Sequence, residues 1–186
     1  MRILLAFLII VCGAPALAQD VAMSERREAD GTTTLAHEVI VAAPVTEVWA
    51  ALATPEGWRT WAVPAARWVE GEADVMETTY NPQGGPGATI RQHFIARLPG
   101  RLLVFRTVRA PDGFPHFETY RRTTGFLELE AAGEGRTRVR LTGAGYADDE
   151  AGRALLGFFR AGNRVSLERL RDRFVSGPID WSREGR

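Results

Sequence analysis

The sequence contains no lysine, so all 23 of its basic side chains are arginines. Schiff-base catalysis, a phosphate-loop lysine and a Ser-Lys dyad each need an amine that can lose its proton or form an imine. A guanidinium group stays charged and does neither. The sequence therefore excludes these three kinds of catalytic or binding site.

Long hydrophobic runs are also scarce. One almost wholly apolar segment, residues 3–11, follows Arg2, and an A-x-A cleavage pattern stands at residues 16–18. The segment is shorter than the ~20 residues that span a bilayer, and the sequence offers no second candidate. We therefore expect residues 1–18 to be a signal peptide, the mature protein to be secreted into the periplasm, and no segment to span the membrane.

Cys12 is the only cysteine, and it lies inside the apolar part of the predicted signal peptide. Removal of this peptide leaves a mature chain with neither a disulfide nor a cysteine metal ligand. A lipid anchor at Cys12 is the less favoured alternative, because Val11 stands where such an anchor would require a small residue. The hydrophobic core alone must therefore stabilise the mature protein.

The sequence also has no excess of positive or negative charge, since 23 acidic residues balance the 23 basic ones. Domains that bind nucleic acid usually carry a strongly basic surface. We therefore expect no nucleic-acid partner. The length of the mature chain suits one ordinary domain with a substantial core.

Hydrophobic periodicity predicts an antiparallel sheet. Apolar and polar residues alternate in several short segments, which are separated by turn-forming Gly, Pro, Asn and Asp. The predicted strands are residues 33–42, 66–70, 75–80, 89–98, 102–109, 118–130 and 137–146. Because most links between them are short, we expect successive strands to pair with one another.

Helices are predicted after the first strand and at the end of the chain. Pro44 and Pro55 each suit the first position of a short helix, where the missing amide proton would have no partner. Residues 149–176 predict a long amphipathic helix. Its expected apolar stripe consists of Leu155, Phe158, Phe159, Val165, Leu170 and Phe174. Residues 19–32 are predicted to be a flexible lead-in, and residues 177–186 a C-terminal tail.

These elements predict an α+β helix-grip fold over residues 33–176, in which a curved antiparallel sheet has two short helices after its first strand and a long C-terminal helix. Residues 40–49 read Ile-Val-Ala-Ala-Pro-Val-Thr-Glu-Val-Trp, and residues 98–105 read Leu-Pro-Gly-Arg-Leu-Leu-Val-Phe. With Leu52, Trp58 and the terminal helix, they resemble the START-like or SRPBCC superfamily, in its polyketide cyclase/dehydrase and lipid-transport-like branch. The resemblance implies a hydrophobic cavity between the sheet and the terminal helix.

The superfamily includes cyclases, lipid carriers, chaperone co-factors and stress proteins, so the resemblance does not fix the function. We expect the cavity to bind a hydrophobic small molecule, either a lipid or an aromatic compound. The alternatives are a polyketide cyclase/dehydratase-like enzyme and a protein-interaction module related to chaperone ATPase activators. No cofactor is expected.

Aromatic residues supply candidates for the wall of such a cavity, because their rings offer large rigid surfaces on which a flat ligand can stack. The aromatic candidates are Trp58, Trp61, Phe94, Phe105, Phe126 and Phe159. The alternative for each of them is ordinary packing in the hydrophobic core.

Three polar residues are predicted to face the cavity. Asn163 and Ser166 lie three residues apart on the apolar stripe of the terminal helix, and Gln92 faces inward by the alternation of its strand. An unpaired polar group in such a place costs roughly 1–3 kcal/mol, which a ligand carbonyl, a hydroxyl or a trapped water would offset. Alternatively, Ser166 bonds back to its own helix and Asn163 caps a backbone group.

His116 is the first candidate for a catalytic residue. Together with Asp112 and Glu118 it can form an acid–base pair at the rim of the cavity. The alternative is a solvated turn. The histidines and carboxylates do not follow the spacing of metal ligands, so no metal site is expected.

Overall fold

The computed structural model describes residues 20–183. The predicted signal peptide lies outside the described residues. Among residues 20–183, none of the helices combines the length with the hydrophobicity that a membrane span requires.

The described chain forms one sheet and four helices. The strands are β1 (Ala22–Arg27), β2 (Thr33–Val41), β3 (Ala65–Trp68), β4 (Val75–Thr79), β5 (Ile90–Leu98), β6 (Leu102–Arg109), β7 (Thr124–Ala131) and β8 (Thr137–Tyr146). The helices are α1 (Val45–Ala53), α2 (Pro55–Trp58), α3 (Phe117–Tyr120) and α4 (Glu150–Ser176).

The eight strands follow the order β1-β2-β8-β7-β6-β5-β4-β3, and every neighbouring pair is antiparallel. The sheet is curved and does not close, since β1 and β3 remain as edges. Two short helices follow β2, and the long helix α4 ends the fold. The predicted α+β helix-grip fold is therefore confirmed.

Side-chain caps fix where two of the helices begin. The Thr54 side chain accepts a hydrogen bond from the amide of Gly57 at the start of α2. The Asp149 carboxylate accepts one from the amide of Gly152 at 2.7 Å and so begins α4. Both caps satisfy amide protons that have no partner within the first turn.

The main hydrophobic core lies between the sheet, α1 and the C-terminal half of α4. Val48 and Leu52 of α1 and Leu167 and Leu170 of α4 are almost fully buried. Their partners on the sheet include Val39, Val41, Leu103, Leu127, Leu129 and Val139. A second, smaller cluster consists of Leu35, Tyr146, Leu155 and Leu156. Between these two clusters, residues 157–166 of α4 contain no fully buried side chain.

The apolar stripe of α4 differs from the prediction at two positions. Phe158 and Val165 are 56% and 46% exposed, whereas Leu156 and Leu167 are buried. Leu156 and Leu167 are separated by about three helical turns, so they share the face that covers the sheet. Phe158 and Val165 lie at the margin of that face.

The predicted flexible lead-in is wrong for residues 22–27, which form the edge strand β1. All six side chains are exposed, which explains why hydrophobic periodicity does not reveal the strand. Backbone pairing with β2 and two ion pairs hold it instead. The Glu25 carboxylate pairs with Arg160 of α4, and Arg27 lies 2.7 Å from Asp148.

The predicted strand 118–130 is wrong over its first residues. Residues 117–120 form the short helix α3, and β7 begins only at Thr124. His116 precedes α3 with φ at 56°, a left-handed backbone conformation that cannot continue a strand. The helix turns the ring of Tyr120 towards Phe159 of α4.

The predicted C-terminal tail folds back onto the segment after α2. The amide of Ile179 donates to the Thr60 carbonyl at 2.9 Å. The indole Nε1 of Trp181 donates to the Arg59 carbonyl at 2.6 Å. Residues 179–181 are therefore attached to the domain.

Candidate ligand-binding cavity

A cavity of about 190 Å³ lies between residues 158–166 of α4 and the inner face of the sheet. We call it the inner cavity. Ile90, Gln92 and Thr107 come from the sheet, Phe158, Phe159, Gly162, Asn163 and Ser166 from α4, and Tyr80, Ala110, Pro111, Phe114 and Tyr120 from α3 and the connecting segments.

Two further spaces adjoin the inner cavity. A pocket of about 40 Å³ shares four wall residues with it: Thr107, Tyr120, Phe159 and Asn163. A depression of about 380 Å³ along α4, which we call the outer groove, shares four others: Tyr80, Phe158, Gly162 and Ser166. These common walls make the three spaces neighbours along one face of α4.

Two glycines on the sheet make room beside α4. Gly125 of β7 and Gly143 of β8 lie directly opposite each other. A Cβ atom at Gly125 would lie 2.3 Å from the Phe105 ring, and one at Gly143 would lie 2.5 Å from the Tyr146 hydroxyl oxygen. Glycine in a strand often marks such a close approach. The two rings can therefore lie against the backbone of the sheet, which leaves space for the 40 Å³ pocket above them.

Four aromatic rings form one wall of the inner cavity. The ring centroids of Tyr120 and Phe159 are 4.8 Å apart, and those of Phe158 and Phe159 are 5.1 Å apart with perpendicular planes. Phe114 completes the wall at 5.8 Å from Phe158 and 5.5 Å from Tyr120. These are favourable ring geometries, so the wall is both apolar and well fixed.

Two carboxamide side chains of the cavity have unused hydrogen-bonding capacity. Gln92 Oε1 is buried and has no hydrogen-bond partner within residues 20–183. Asn163 lines both the inner cavity and the smaller pocket, and its side chain makes no hydrogen bond to another described residue. A carboxamide both donates and accepts hydrogen bonds. Both residues are therefore available to a ligand with a carbonyl or hydroxyl group.

Ser166 bonds back to its own helix, which is the alternative given for it in the sequence analysis. Its hydroxyl donates to the Gly162 carbonyl, one turn earlier in α4, at 2.9 Å. The side chain still lines the inner cavity. Because its proton is engaged, Ser166 can offer a ligand only a hydrogen-bond acceptor.

Tyr120 brings a buried hydroxyl group to the inner cavity. Thr107 Oγ1 donates a hydrogen bond to it at 2.9 Å. Burial raises the pKa of Tyr120 above its usual value of 10, and the bond from Thr107 opposes this shift only in part. Tyr120 therefore keeps its proton at neutral pH and can donate it to an acceptor in the cavity.

The inner cavity has a neutral wall. Among the described residues that line it there is no arginine, histidine, aspartate or glutamate. Burying an unpaired charge in such surroundings would be costly. The cavity therefore favours the uncharged part of a ligand.

The structure brings six of the nine predicted ligand-binding residues to these spaces. Gln92, Phe159, Asn163 and Ser166 line the inner cavity, Phe105 lines the smaller pocket, and Trp61 lines the outer groove. Whether they bind a ligand stays a prediction.

Trp58, Phe94 and Phe126 line none of these spaces, so the prediction that they bind a ligand is wrong. Trp58 packs against the core, and its Nε1 donates to the Leu52 carbonyl at 2.7 Å. Phe94 is 3% exposed and belongs to the core. Phe126 neighbours the buried Leu127 in β7, so it lies on the opposite face of the sheet.

His116 does not form the predicted acid–base pair. It is exposed, it does not line the inner cavity, and Glu118 pairs instead with Arg121 at 3.4 Å. The alternative, a solvated turn, describes it correctly. In the described part of the chain, no three His, Cys, Asp or Glu side chains come close enough together to hold a metal ion.

Sequence reasoning missed Tyr80, Thr107, Phe114 and Tyr120, which the structure adds to the wall of the inner cavity. Three of the four come from connecting segments or from α3, where no periodic pattern indicates which side chains point inward. In the sequence, Gly125 and Gly143 were the features that could have indicated this part of the wall. Two glycines inside predicted strands indicate that something approaches the sheet closely there.

The fold and the cavity together define a ligand-binding domain of the helix-grip class. The chain matches the family described as "Polyketide cyclase / dehydrase and lipid transport" over residues 32–175. It belongs to this family, and the predicted membership of the SRPBCC superfamily is confirmed.

Solved structures with the same fold include CalU16 from Micromonospora echinospora, which is 20% identical with a TM-score of 0.57 and covers 87% of this chain and 86% of its own. The Aha1 dimer from Colwellia psychrerythraea is 18% identical with a TM-score of 0.58, over 77% of this chain and 97% of that one. The di-domain ARO/CYC protein BexL from the BE-7585A biosynthetic pathway is 18% identical with a TM-score of 0.59. The match covers 75% of this chain and 45% of the BexL chain. At these identities the likeness shows the fold alone. None of the curated proteins compared with the chain matches it.

Proposed function

We propose that the protein binds a neutral hydrophobic small molecule that contains a ring and a carbonyl or hydroxyl group, and that it does so in the periplasm. The observation that carries this proposal is the position of Gln92 and Asn163 in one aromatic cavity, both with unused hydrogen-bonding capacity. The predicted signal peptide supports the location.

The size and walls of the inner cavity support a ring as the buried group. An apolar cavity of about 150 Å³ is enough to bind benzene, and the inner cavity measures about 190 Å³. Phe114, Phe158, Phe159 and Tyr120 offer faces and edges against which a flat ring can pack. A carbonyl or hydroxyl group on that ring would then satisfy the two carboxamides.

Tyr120 favours a second candidate function, the cyclase-like activity. Its protonated hydroxyl can polarise a ligand carbonyl, which would assist ring closure of a polyketone-like molecule. Ring closure through an enol also releases a proton, and no carboxylate or histidine among the described lining residues can accept it. The geometry therefore supports binding better than catalysis.

Binding of Prodan, a fluorescent naphthyl ketone without charge, tests the proposal. We expect Gln92→Met and Asn163→Leu each to weaken binding of Prodan about fivefold, since one neutral hydrogen bond contributes about 1 kcal/mol. Gln83→Met is the matched control, because Gln83 is exposed in the link between β4 and β5. Fluorescence titration of the mature protein gives each dissociation constant.

Two results would contradict the proposal. One is the absence of saturable Prodan binding up to its solubility limit, together with a clean apo mass for protein purified from its own periplasm. That outcome would favour the protein-interaction module. The other is an equal effect of the Gln92 and Gln83 substitutions, which would show that Prodan binds elsewhere.

A further inference from the structure

The smaller pocket beside the inner cavity is too small for a ring. It measures about 40 Å³ and lies against Gly125 and Gly143 of the sheet. A cavity of about 150 Å³ holds benzene, whereas about 10–15 Å³ is enough for a water molecule. The smaller pocket therefore accommodates a group with a single oxygen atom.

Tyr146 brings a hydroxyl group without a partner to this pocket. Its side chain is 3% exposed, and its hydroxyl makes no hydrogen bond to another residue of the range 20–183. A Cβ atom at Gly143 would lie 2.5 Å from the Tyr146 hydroxyl oxygen, and both residues line the pocket. Burial raises the pKa of Tyr146 above its usual value of 10, so the hydroxyl keeps its proton at neutral pH. A buried donor without an acceptor destabilises the folded protein, so we expect an acceptor to occupy the pocket.

Two further hydrogen-bonding groups border the smaller pocket. The Asn163 carboxamide makes no hydrogen bond to another described residue. The Tyr120 hydroxyl accepts from Thr107 Oγ1 and still has its own proton to donate. The Thr123 hydroxyl, by contrast, is already engaged, since it donates to the Tyr120 carbonyl at 2.8 Å. Tyr146, Asn163 and Tyr120 thus offer three partners to one oxygen atom, the number that a buried water molecule typically has.

The smaller pocket is also uncharged. None of its described lining residues is an arginine, histidine, aspartate or glutamate. An ion placed there would lose its hydration without meeting an opposite charge. The pocket therefore favours a neutral oxygen group.

The smaller pocket and the inner cavity share a wall. Four residues line both spaces: Thr107, Tyr120, Phe159 and Asn163. Of the two spaces, Tyr146 lines only the smaller pocket and Gln92 only the inner cavity. A ring in the inner cavity can therefore direct one oxygen group to Gln92 and another towards Tyr146.

We propose that the smaller pocket is a second polar subsite, in which Tyr146 and Asn163 bind one neutral hydroxyl oxygen. A hydroxyl group on the ring of the ligand and an ordered water molecule supply the same chemistry. In the first case the ligand carries two oxygen groups, one beside Gln92 and one in the smaller pocket. The inference rests on the proposed function for its ligand and adds this second oxygen.

Competition with bound Prodan tests the subsite with acetophenone, 3-hydroxyacetophenone and 4-hydroxyacetophenone. Each compound is a single ring with a ketone, and the last two add a hydroxyl group in different directions. We expect at least one hydroxylated isomer to lose about fivefold in affinity relative to acetophenone in Tyr146→Phe, which is the effect of one neutral hydrogen bond. Comparison with acetophenone in the same variant removes any general effect of the substitution on the cavity.

Tyr80→Phe is the matched variant. Tyr80 is 61% exposed and borders the inner cavity but not the smaller pocket. Both substitutions keep the aromatic ring and remove one hydroxyl group. An equal loss of relative affinity in Tyr80→Phe would place the hydroxyl of the compound at the exposed end of the inner cavity and contradict its binding beside Tyr146.

Oxygen-17 magnetic relaxation dispersion distinguishes water from the ligand as the source of the oxygen, because it counts the water molecules that stay buried in the protein. We expect the ligand-free protein to lose one such water in Tyr146→Phe and none in Tyr80→Phe. Where the hydroxyl of the ligand takes its place, the hydroxylated compound releases this water and acetophenone does not.

The outcomes separate the subsite from the proposed function. A loss of relative affinity in Tyr146→Phe alone identifies a ligand hydroxyl, and a loss of only the buried water identifies the solvent. Either result supports the subsite. If Tyr146→Phe changes neither quantity while acetophenone and Prodan bind, the subsite is wrong and the proposed function stands. If none of the compounds binds, the proposed function fails, and the water count still decides whether the smaller pocket holds an oxygen.

Discussion

His37 of β2 is a buried residue that uses only one of its two ring nitrogens. Its side chain is 1% exposed, and Nε2 lies 3.1 Å from the Arg160 carbonyl oxygen. Nδ1 is buried and has no partner among residues 20–183. A neutral ring with its proton on Nε2 satisfies this geometry. Burial accordingly lowers the pKa of His37 below its usual 6.5, although the Arg160 carbonyl and Glu25 oppose the shift.

We expect the folded state to lose stability as the pH falls below about 6.5, where unfolded His37 takes up a proton that the folded residue resists. The free energy of unfolding should decline by up to about 1.4 kcal/mol per pH unit until the pH reaches the lowered pKa. His37→Gln retains an N–H for the Arg160 carbonyl but cannot titrate. Urea unfolding at about pH 7.5 and pH 5.5 measures both proteins, and equal losses of stability would contradict the prediction.

The sequence indicated the two carboxamide side chains of the cavity but not the hydroxyl group of Tyr120. Gln92 and Asn163 break an apolar pattern that is regular on both sides, so their positions are informative. Tyr120 stands in a segment whose residues are compatible with a strand. Its role depends on the left-handed turn at His116, which only the folded backbone reveals.

At the scale of elements, β1 depends on charge rather than on burial. The Glu25 carboxylate makes two hydrogen bonds to the Arg160 guanidinium, one of them 2.9 Å long, and this joins β1 to α4. The two ion pairs that join β1 to residues 148 and 160 are partly exposed and lie outside the hydrophobic core. Salt should therefore weaken part of what holds this strand in place.

We expect Glu25→Gln to lower the free energy of unfolding by less than about 1 kcal/mol, because pairs of this kind are partly solvated. Amide exchange should accelerate in residues 22–27 more than in the β7 and β8 ladder. Glu128→Gln is the control, since Glu128 is an exposed strand residue without an ion pair to another described residue. Uniform acceleration across the sheet, or the same local effect in the control, would show that the ion pair does not hold β1.

Most of the elements could be read from the sequence, and the exceptions share a physical cause. The strands from β2 to β8 carry inward apolar residues, and the boundaries of α4 follow from its cap at Asp149 and from Gly177. Neither β1 nor α3 contains a fully buried residue. Periodicity detects burial, so elements held by ion pairs or local turns remain invisible to it.

At the scale of the whole molecule, the stretch of α4 that lies over the cavity contributes little to the free energy of unfolding. Residues 157–166 of α4 bury no side chain completely, and two glycines, Gly157 and Gly162, lie within this stretch. Glycine in a helix costs about 0.8–1 kcal/mol relative to alanine. Gly157 has no heavy atom within 4 Å of an added Cβ and lies outside the cavity and the groove. Gly162 lines both, so the two glycines differ in function although they share one helix.

Substituting leucine at each position separates the effect of a glycine on helix stability from its effect on ligand binding in the cavity. Gly157→Leu and Gly162→Leu should each raise the stability of α4 by about 0.7 kcal/mol, which corresponds to an increase in Tm of about 2 °C. Prodan at ten times its Kd should add about 1.4 kcal/mol to the native protein and to Gly157→Leu. In Gly162→Leu the new side chain occupies the junction between the inner cavity and the outer groove, so this further rise should disappear. Calorimetry with and without Prodan measures all three proteins. A ligand-dependent rise that survives in Gly162→Leu would place the binding site away from α4, because no other difference between the two leucine variants involves the cavity.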